Sequence, residues 1–195
     1  MAQDRRVRKS QAAIKNTFLE LLKKDDFEAI TVQKISDLAD INRGTFYAYY
    51  VDKYDLLENM ENEKITELQA FIKQQHQENE PGVPSHVVKN IMSHLIEHID
   101  ENIDFYKTMF ELGKASMLQE KLYTLIYSHL SAYKNDDNQI GDMPFDYFMS
   151  YVSGAGISIL KHWVQDNNRI DKGEFVHHFY NIVTVGTVGI VKQSF

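Results

Sequence analysis

Apolar residues recur at three- and four-residue intervals along most of the chain, the spacing that gathers them on one face of an α-helix. Ile14, Phe18, Leu21 and Leu22 form one such stripe, and Val87, Val88, Ile91, Met92, Leu95, Ile96 and Ile99 form another. No alternating run of useful length, the sign of a half-buried strand, appears before the last twenty residues, so the expected fold class is all-α. Helices are predicted near 6–24, 32–39, 43–50, 53–78, 85–101, 103–112, 115–134, 145–166 and 173–192. Gly and Pro cluster between them, in Asn79 to Pro84, Asn135 to Pro144 and Asn167 to Gly173, where the chain must turn. Thr31, Asn42, Asp52 and Ser85 stand where a side-chain oxygen would accept from the free amides of a first helical turn. The last helix is the poorest by propensity, because Ile182 to Val191 is β-branched and contains glycine. Phe175, Phe179, Ile182, Gly186 and Gly189 nevertheless step by four and three, a seam that suits a helix held by packing.

Composition narrows the classes. With 195 residues, 43% apolar and 25% charged, the chain can bury a proper core and is neither disordered nor low-complexity. No apolar run approaches the roughly 18 residues needed to span a bilayer, and the basic N-terminus has no apolar stretch behind it, so a cytoplasmic, non-membrane protein is expected. Cysteine is absent, which excludes disulfides, thiolate zinc sites and cysteine nucleophiles. The net charge of −7 argues against a nucleic-acid partner until its distribution is read. Residues 1–24 carry a local +5, from Arg5, Arg6, Arg8, Lys9, Lys15, Lys23 and Lys24 against Asp4 and Glu20, whereas residues 25–64 carry −6. Arg5, Arg6, Arg8 and Lys9 are therefore the bases expected to meet phosphates.

The most informative stretch is Thr31 to Leu57. A short helix, a three-residue turn at Asp40, Ile41 and Asn42, and a second short helix from Arg43 have the lengths of a helix-turn-helix. Val32, Ile35 and Leu38 would bury one face of the first helix, and Ile41 and Phe46 would plug the turn. Arg43, Gly44, Thr45, Tyr47 and Tyr49 are left on the other side, near the tip that enters a major groove in this motif.

Phe27, Thr31, Val32, Ile35, Ala39, Ile41, Asn42, Arg43, Gly44, Thr45, Phe46, Tyr47, Tyr50, Lys53 and Leu56 together resemble the fingerprint of the TetR family of bacterial transcriptional regulators. The resemblance covers about residues 9–57. It implies a helix-turn-helix DNA-binding domain at 1–52, and a larger helical effector-binding and dimerisation domain at 53–195. The implied function is that of a homodimeric repressor, released from a palindromic double-stranded DNA operator by a small-molecule effector. Thr31, Tyr47 and Lys53 match positions that grip the DNA backbone, contacts that set register and salt dependence. Arg43, Gly44, Thr45 and Tyr49 are the candidates for base contact, Arg43 through a two-pronged approach to guanine and Gly44 by letting the backbone come close. Two departures stand out: Asp40 where the family has a turn glycine, and Tyr49 where it commonly has histidine. A left-handed Asp40 would cost roughly 1 kcal/mol.

In the C-terminal half, Phe105, Tyr106, Met109, Phe110, Met117, Tyr123, Tyr127, Phe148, Met149, Tyr151 and Trp163 fall at helical spacings and are the candidate ligand-pocket lining, although such stripes also build ordinary cores. The segments 145–166 and 173–192 look like the dimer-forming pair of the family, with Phe148, Ala155, Ile159, Phe179, Ile182, Gly186 and Gly189 assigned to the interface. A two-fold assembly would set its reading heads about 34 Å or more apart. No cofactor, metal or catalytic residue is expected. His94 and His98 have a chelating spacing but lie beside the apolar stripe, and Ser153 is about 13.5 Å of helical rise from His162, too far for a nucleophile and its base. An enzyme is not expected. The rival reading is a co-regulator of the same fold that binds a protein partner and has lost DNA binding.

Overall fold

Apolar stripes and capping side chains divide the chain much as its pattern implies. The computed structural model describes residues 2–78 and 85–192, and among these it forms nine α-helices. They are α1 (Ala2–Leu22), α2 (Val32–Leu38), α3 (Arg43–Tyr47), α4 (Lys53–Glu78), α5 (Ser85–Glu101), α6 (Ile103–Glu111), α7 (Leu118–Leu130), α8 (Phe145–Gln165) and α9 (Lys172–Lys192). The fold is all-α apart from a small antiparallel hairpin, β1 (Gln139–Ile140) with β2 (Met143–Pro144), in which Ile140 faces Met143 across a turn at Gly141. Asn138 and Gly141 take positive φ there, at 58° and 62°, which glycine and asparagine tolerate best. The turn expected at Asn79 to Pro84 lies outside the described residues, as do the side chain of Ser85, expected as a cap, and the surroundings of Gly189.

The chain divides into two compact units. The first takes the residues up to Lys64 together with Thr108–Leu118, so the division falls inside α4, whereas the expected boundary at 52/53 marks where that helix starts. Ile14, Phe18, Leu21 and Leu22 bury the inner face of α1, which packs on α2 with Phe18 against Phe27, and Ile30, Ile35, Phe46 and Leu56 are buried in the same unit. Thr31 Oγ1 accepts from Lys34 N at 3.2 Å, Asn42 Oδ1 from Gly44 N at 2.8 Å, and Asp52 Oδ1 from Tyr54 N and Asp55 N at 2.8 Å each, so three helices start on side-chain caps. Asp55 Oδ2 accepts in return from Val51 N at 2.8 Å. Within the same unit the buried carboxylate of Glu61 accepts from Ser116 Oγ at 2.6 Å and Met117 N at 3.0 Å, while Ser116 Oγ accepts from Leu118 N at 3.2 Å.

Two expectations for this unit are corrected. Leu38 is 61% exposed, and Ser36 is buried in its place. The buried arc of α2 is centred near Val32 and Ala39, and at 100° per residue Leu38 sits roughly 110° away from it. The helix expected over 43–50 is regular only to Tyr47, although Ala48 and Tyr50 still donate to Gly44 O and Phe46 O at 3.0 Å.

The second unit holds Ile65–Lys107 and the residues from Gln119 onward. Its core joins Leu68, Ile96, Ile99, Phe105, Tyr106, Phe145, Met149, Leu160 and Trp163 with Phe175 and Phe179 of α9. The helix expected over 115–134 is shorter, Leu118–Leu130, because a 3₁₀ turn flanks each end and Gly113 turns at φ 57°. α9 is helical as expected, but Gly186 breaks it at φ 75°, ψ 166°, a conformation closed to side chains bearing a Cβ.

Asp40 occupies the left-handed region at φ 53°. Asp40→Gly should therefore stabilise the protein by up to about 1 kcal/mol, read as a higher urea midpoint at unchanged slope.

Candidate nucleic-acid interface

α3 is five residues long, too short to persist without tertiary support. Phe46 supplies that support, with no exposed surface and with its ring against Tyr50 and Tyr47 at centroid distances of 5.6 Å. Burying Phe46 turns Arg43, Gly44 and Tyr47 outward, and all three are exposed. Arg43 Nη2 donates to Tyr47 Oη at 3.3 Å, and its guanidinium lies 5.8 Å from the Tyr47 ring centroid, so the two form a surface pair one helical turn apart. Gly44 has a role that pattern reading missed. A Cβ there would come within 3.2 Å of Asn42 Oδ1, the oxygen that caps the helix. Thr45 and Tyr49 are half-buried, Thr45 donating its amide to Asn42 O at 2.8 Å and Tyr49 packing its ring 6.4 Å from that of Tyr50.

Among the expected phosphate contacts, Thr31 is exposed, and its hydroxyl proton stays available while the oxygen caps α2. Arg5, Arg6, Arg8 and Lys9 are exposed on the first turns of α1, which begins at Ala2, so the basic arm is helical. Lys53 sits differently. Its side chain is 12% exposed, and Nζ donates to Phe27 O at 2.7 Å and Glu28 O at 3.0 Å. The ammonium also lies 4.7 Å from the Phe27 ring and 5.4 Å from that of Tyr54. Lys53 thus ties the start of α4 to the turn after α1.

Tyr50 closes the site from beneath. Its ring is buried and its hydroxyl has no hydrogen-bond partner among the described residues. Burial first, and then the Glu63 and Asp55 carboxylates, push its pKa up to about 12.

The second unit contains a cavity of about 560 Å³, walled by α4, α5, α7, α8 and α9. Of the expected pocket residues, Phe148 and Tyr151 line it. Phe105, Tyr106, Met109, Phe110, Met149 and Trp163 are packed into the cores instead, and Met117, Tyr123 and Tyr127 are exposed. Trp163 is occupied by neighbours, stacking on Phe175 at 4.8 Å, donating Nε1 to Ile170 O at 3.0 Å and carrying Arg169 over its ring. Of the residues expected at a dimer interface, Phe148, Ala155, Ile159, Phe179, Ile182 and Gly186 line this same cavity. Among the described residues the large exposed apolar side chains on α8 and α9 are Tyr147, Tyr151, Val183 and Val185, of which Tyr151 and Val183 also line the cavity. Missed by pattern reading were Val88, Ile91 and Leu95, whose stripe on α5 is broad enough to face both core and cavity. His94 and His98 do not converge: His94 stacks on Phe71 at 3.5 Å, while His98 faces Glu67 and Tyr106.

Comparison with known proteins adds to this geometry. Residues 88–185 match the family described as a transcriptional regulator C-terminal region, and residues 17–60 match bacterial regulatory proteins of the tetR family. An uncharacterized HTH-type transcriptional regulator of Bacillus subtilis, YxbF, is 37% identical over 51 residues, 26% of this chain, and this chain spans 13% of that relative's length. A TetR transcriptional regulator from Streptococcus agalactiae shares the fold with a TM-score of 0.63 and 24% identity, covering 94% of this chain and 98% of its own. Thermus thermophilus FadR, solved in complex with lauroyl-CoA, aligns with a TM-score of 0.61 and 18% identity over 91% of this chain and 94% of its own.

Because Lys53 spends its ammonium on backbone carbonyls, Lys53→Ala should destabilise the first unit by about 1–3 kcal/mol, the range for hydrogen bonds from a charged group. An unchanged urea midpoint would restrict Lys53 to a role toward DNA. Tyr50→Phe should be neutral or stabilising by up to about 1 kcal/mol at pH 7, since it deletes an unpaired buried hydroxyl. The native state holds the Tyr50 proton to about pH 12 while the unfolded chain releases it near 10. Stability should therefore fall between those values by about 1.4 kcal/mol per pH unit. Tyr50→Phe should lose that part of the slope in pH-dependent urea melts.

Proposed function

The chain belongs to the TetR family of bacterial transcriptional regulators, and from that premise we propose that it is a homodimeric repressor which leaves a palindromic operator when a lipophilic small molecule enters its second unit. The observation that carries this reading is the helix-turn-helix surface: Phe46 buried below, Asn42 capping, and Arg43 and Tyr47 exposed on the far side of α3. Arg43 reads a guanine edge and Thr45 a neighbouring base, with Gly44 and Tyr49 beside them. Thr31 and Tyr47, with Arg5, Arg6, Arg8 and Lys9 on α1, hold phosphates and fix register.

Dimerisation is supported by α8 and α9, where Tyr147, Tyr151 and Val183 are 74%, 62% and 53% exposed. Exposed apolar side chains of this size favour a partner, and a second copy supplies it through a two-fold axis. Effector binding is supported by the cavity, whose volume lies in the range of small-molecule sites. That Thermus thermophilus FadR was solved with lauroyl-CoA favours a guest with an aliphatic chain.

Footprinting on the intergenic DNA beside its own gene tests the reading, and protection of a palindrome is the expected result. A chain that sediments as a monomer, or that captures a protein partner while ignoring DNA, would overturn it. Arg43→Ala should relax sequence preference by about 1–3 kcal/mol, whereas Lys9→Ala should weaken all sequences alike and flatten the salt slope by about one unit, both measured by gel retardation over a salt series.

A further inference from the structure

The wall of the cavity specifies more than lipophilicity. No Lys, Arg, Asp or Glu is among the described residues that line it, and its polar side chains are His94, His129 and Tyr151. A carboxylate or phosphate drawn into such a space would lose its hydration without gaining a counter-charge, a loss that apolar contacts do not offset. The cations at the start of α9 are already committed. Lys172 Nζ donates to Glu97 at 2.6 Å and Arg169 Nη2 to Asp100 at 2.8 Å, and neither lines the cavity.

One lining group is poised for a neutral polar atom. His94 lies flat on Phe71, with an interplanar angle of 13°, so the hydrogen-bonding capacity of the imidazole is confined to its edge. That ring forms no hydrogen bond with a described residue, unlike His129, which has a further partner. Around it stand Leu68, Phe71, Ile91 and Leu95, which offer a guest only dispersion and burial.

We propose that this cavity binds an uncharged aliphatic molecule carrying one hydrogen-bonding oxygen, of the class of long-chain alcohols, with that oxygen on the His94 imidazole and the chain against the apolar wall. The inference rests on the reading of the protein as a ligand-responsive regulator and narrows its effector to one that a fatty acid or an acyl-CoA does not match.

The test is calorimetric titration of the full-length protein with 1-decanol, kept below its aqueous solubility, and with decanoate and decanoyl-CoA, each below its micellar concentration, at pH 8. Decanol should bind once per chain and at least tenfold more tightly than either anion, and near saturation it should raise the melting temperature by roughly 5–10 °C. His94→Leu should weaken decanol at least fivefold, and His94→Gln, which keeps a donor and an acceptor, should recover most of that loss. Gly156→Leu, which fills the cavity from α8, should abolish binding and provides a second probe if His94→Leu does not fold. Anion binding equal to or tighter than that of decanol would overturn the proposal. So would an affinity unchanged by His94→Leu, binding retained in Gly156→Leu, or no binding at all. Gel retardation of the unliganded protein reports separately on the regulator reading: intact DNA binding with no decanol uptake sinks only the ligand assignment, and absent DNA binding sinks the regulator.

Discussion

A helix of five residues cannot pay for its own nucleation, so everything α3 does depends on what is buried beneath it. Phe46 is the point of attachment, with no exposed surface, its ring against Tyr47 and Tyr50, and α3 packed on α2. With that ring fixed, the orientation of α3 follows: its apolar side is inward, its cap is on Asn42, and Arg43, Gly44 and Tyr47 have nowhere to go but solvent. Lys53 serves the same end from the next helix by holding the carbonyls of Phe27 and Glu28, which keeps the start of α4 against the turn that follows α1. The chemistry available for meeting a nucleic acid is thus a by-product of packing one aromatic ring correctly.

The second unit shows the opposite use of apolar residues. Helical stripes on α5, α7 and α8 are wider than a core requires, and the surplus faces an empty volume. On α5, Met92, Ile96 and Ile99 are buried while Val88, Ile91 and Leu95 line the cavity. On α8, Met149, Leu160 and Trp163 belong to the core, and Leu160 also reaches the cavity wall beside Phe148, Val152 and Ile159. Aromatic content alone misdirects here. Most of the rings that the pattern singles out fill the core, where close packing rewards them, and the cavity wall is chiefly aliphatic, with Phe71, Phe148, Tyr151 and Phe179 set into it.

This difference sets how much was legible in the sequence. The helices were readable because their stripes are regular and because Thr31, Asn42 and Asp52 mark where they begin. The exposed side of α3 was readable because a helix-turn-helix leaves few choices once Phe46 is inside. The exposure of Leu38 was not legible, since the buried arc of a seven-residue helix cannot be centred from three positions, nor were the partners of Lys53, which are backbone carbonyls 25 and 26 residues away. Which apolar residues meet a cavity, and which meet one another, depends on distances between helices that no periodicity encodes. Phe148, Ile182 and Gly186, which the periodicity assigns to an interface seam, also line the cavity.

Glu61 carries a last consequence. Its buried carboxylate is held by Ser116 and Met117, from a segment far along the chain that folds into the first unit. A transplant of residues 1–64 onto a foreign body would leave behind the Ser116 hydroxyl and Met117 amide that donate to Glu61, together with the buried side chains of Met109, Phe110 and Leu118 from the same stretch of the first unit. The DNA-reading head is therefore no interchangeable cassette: shuffling by recombination would have to carry two separated stretches of gene together.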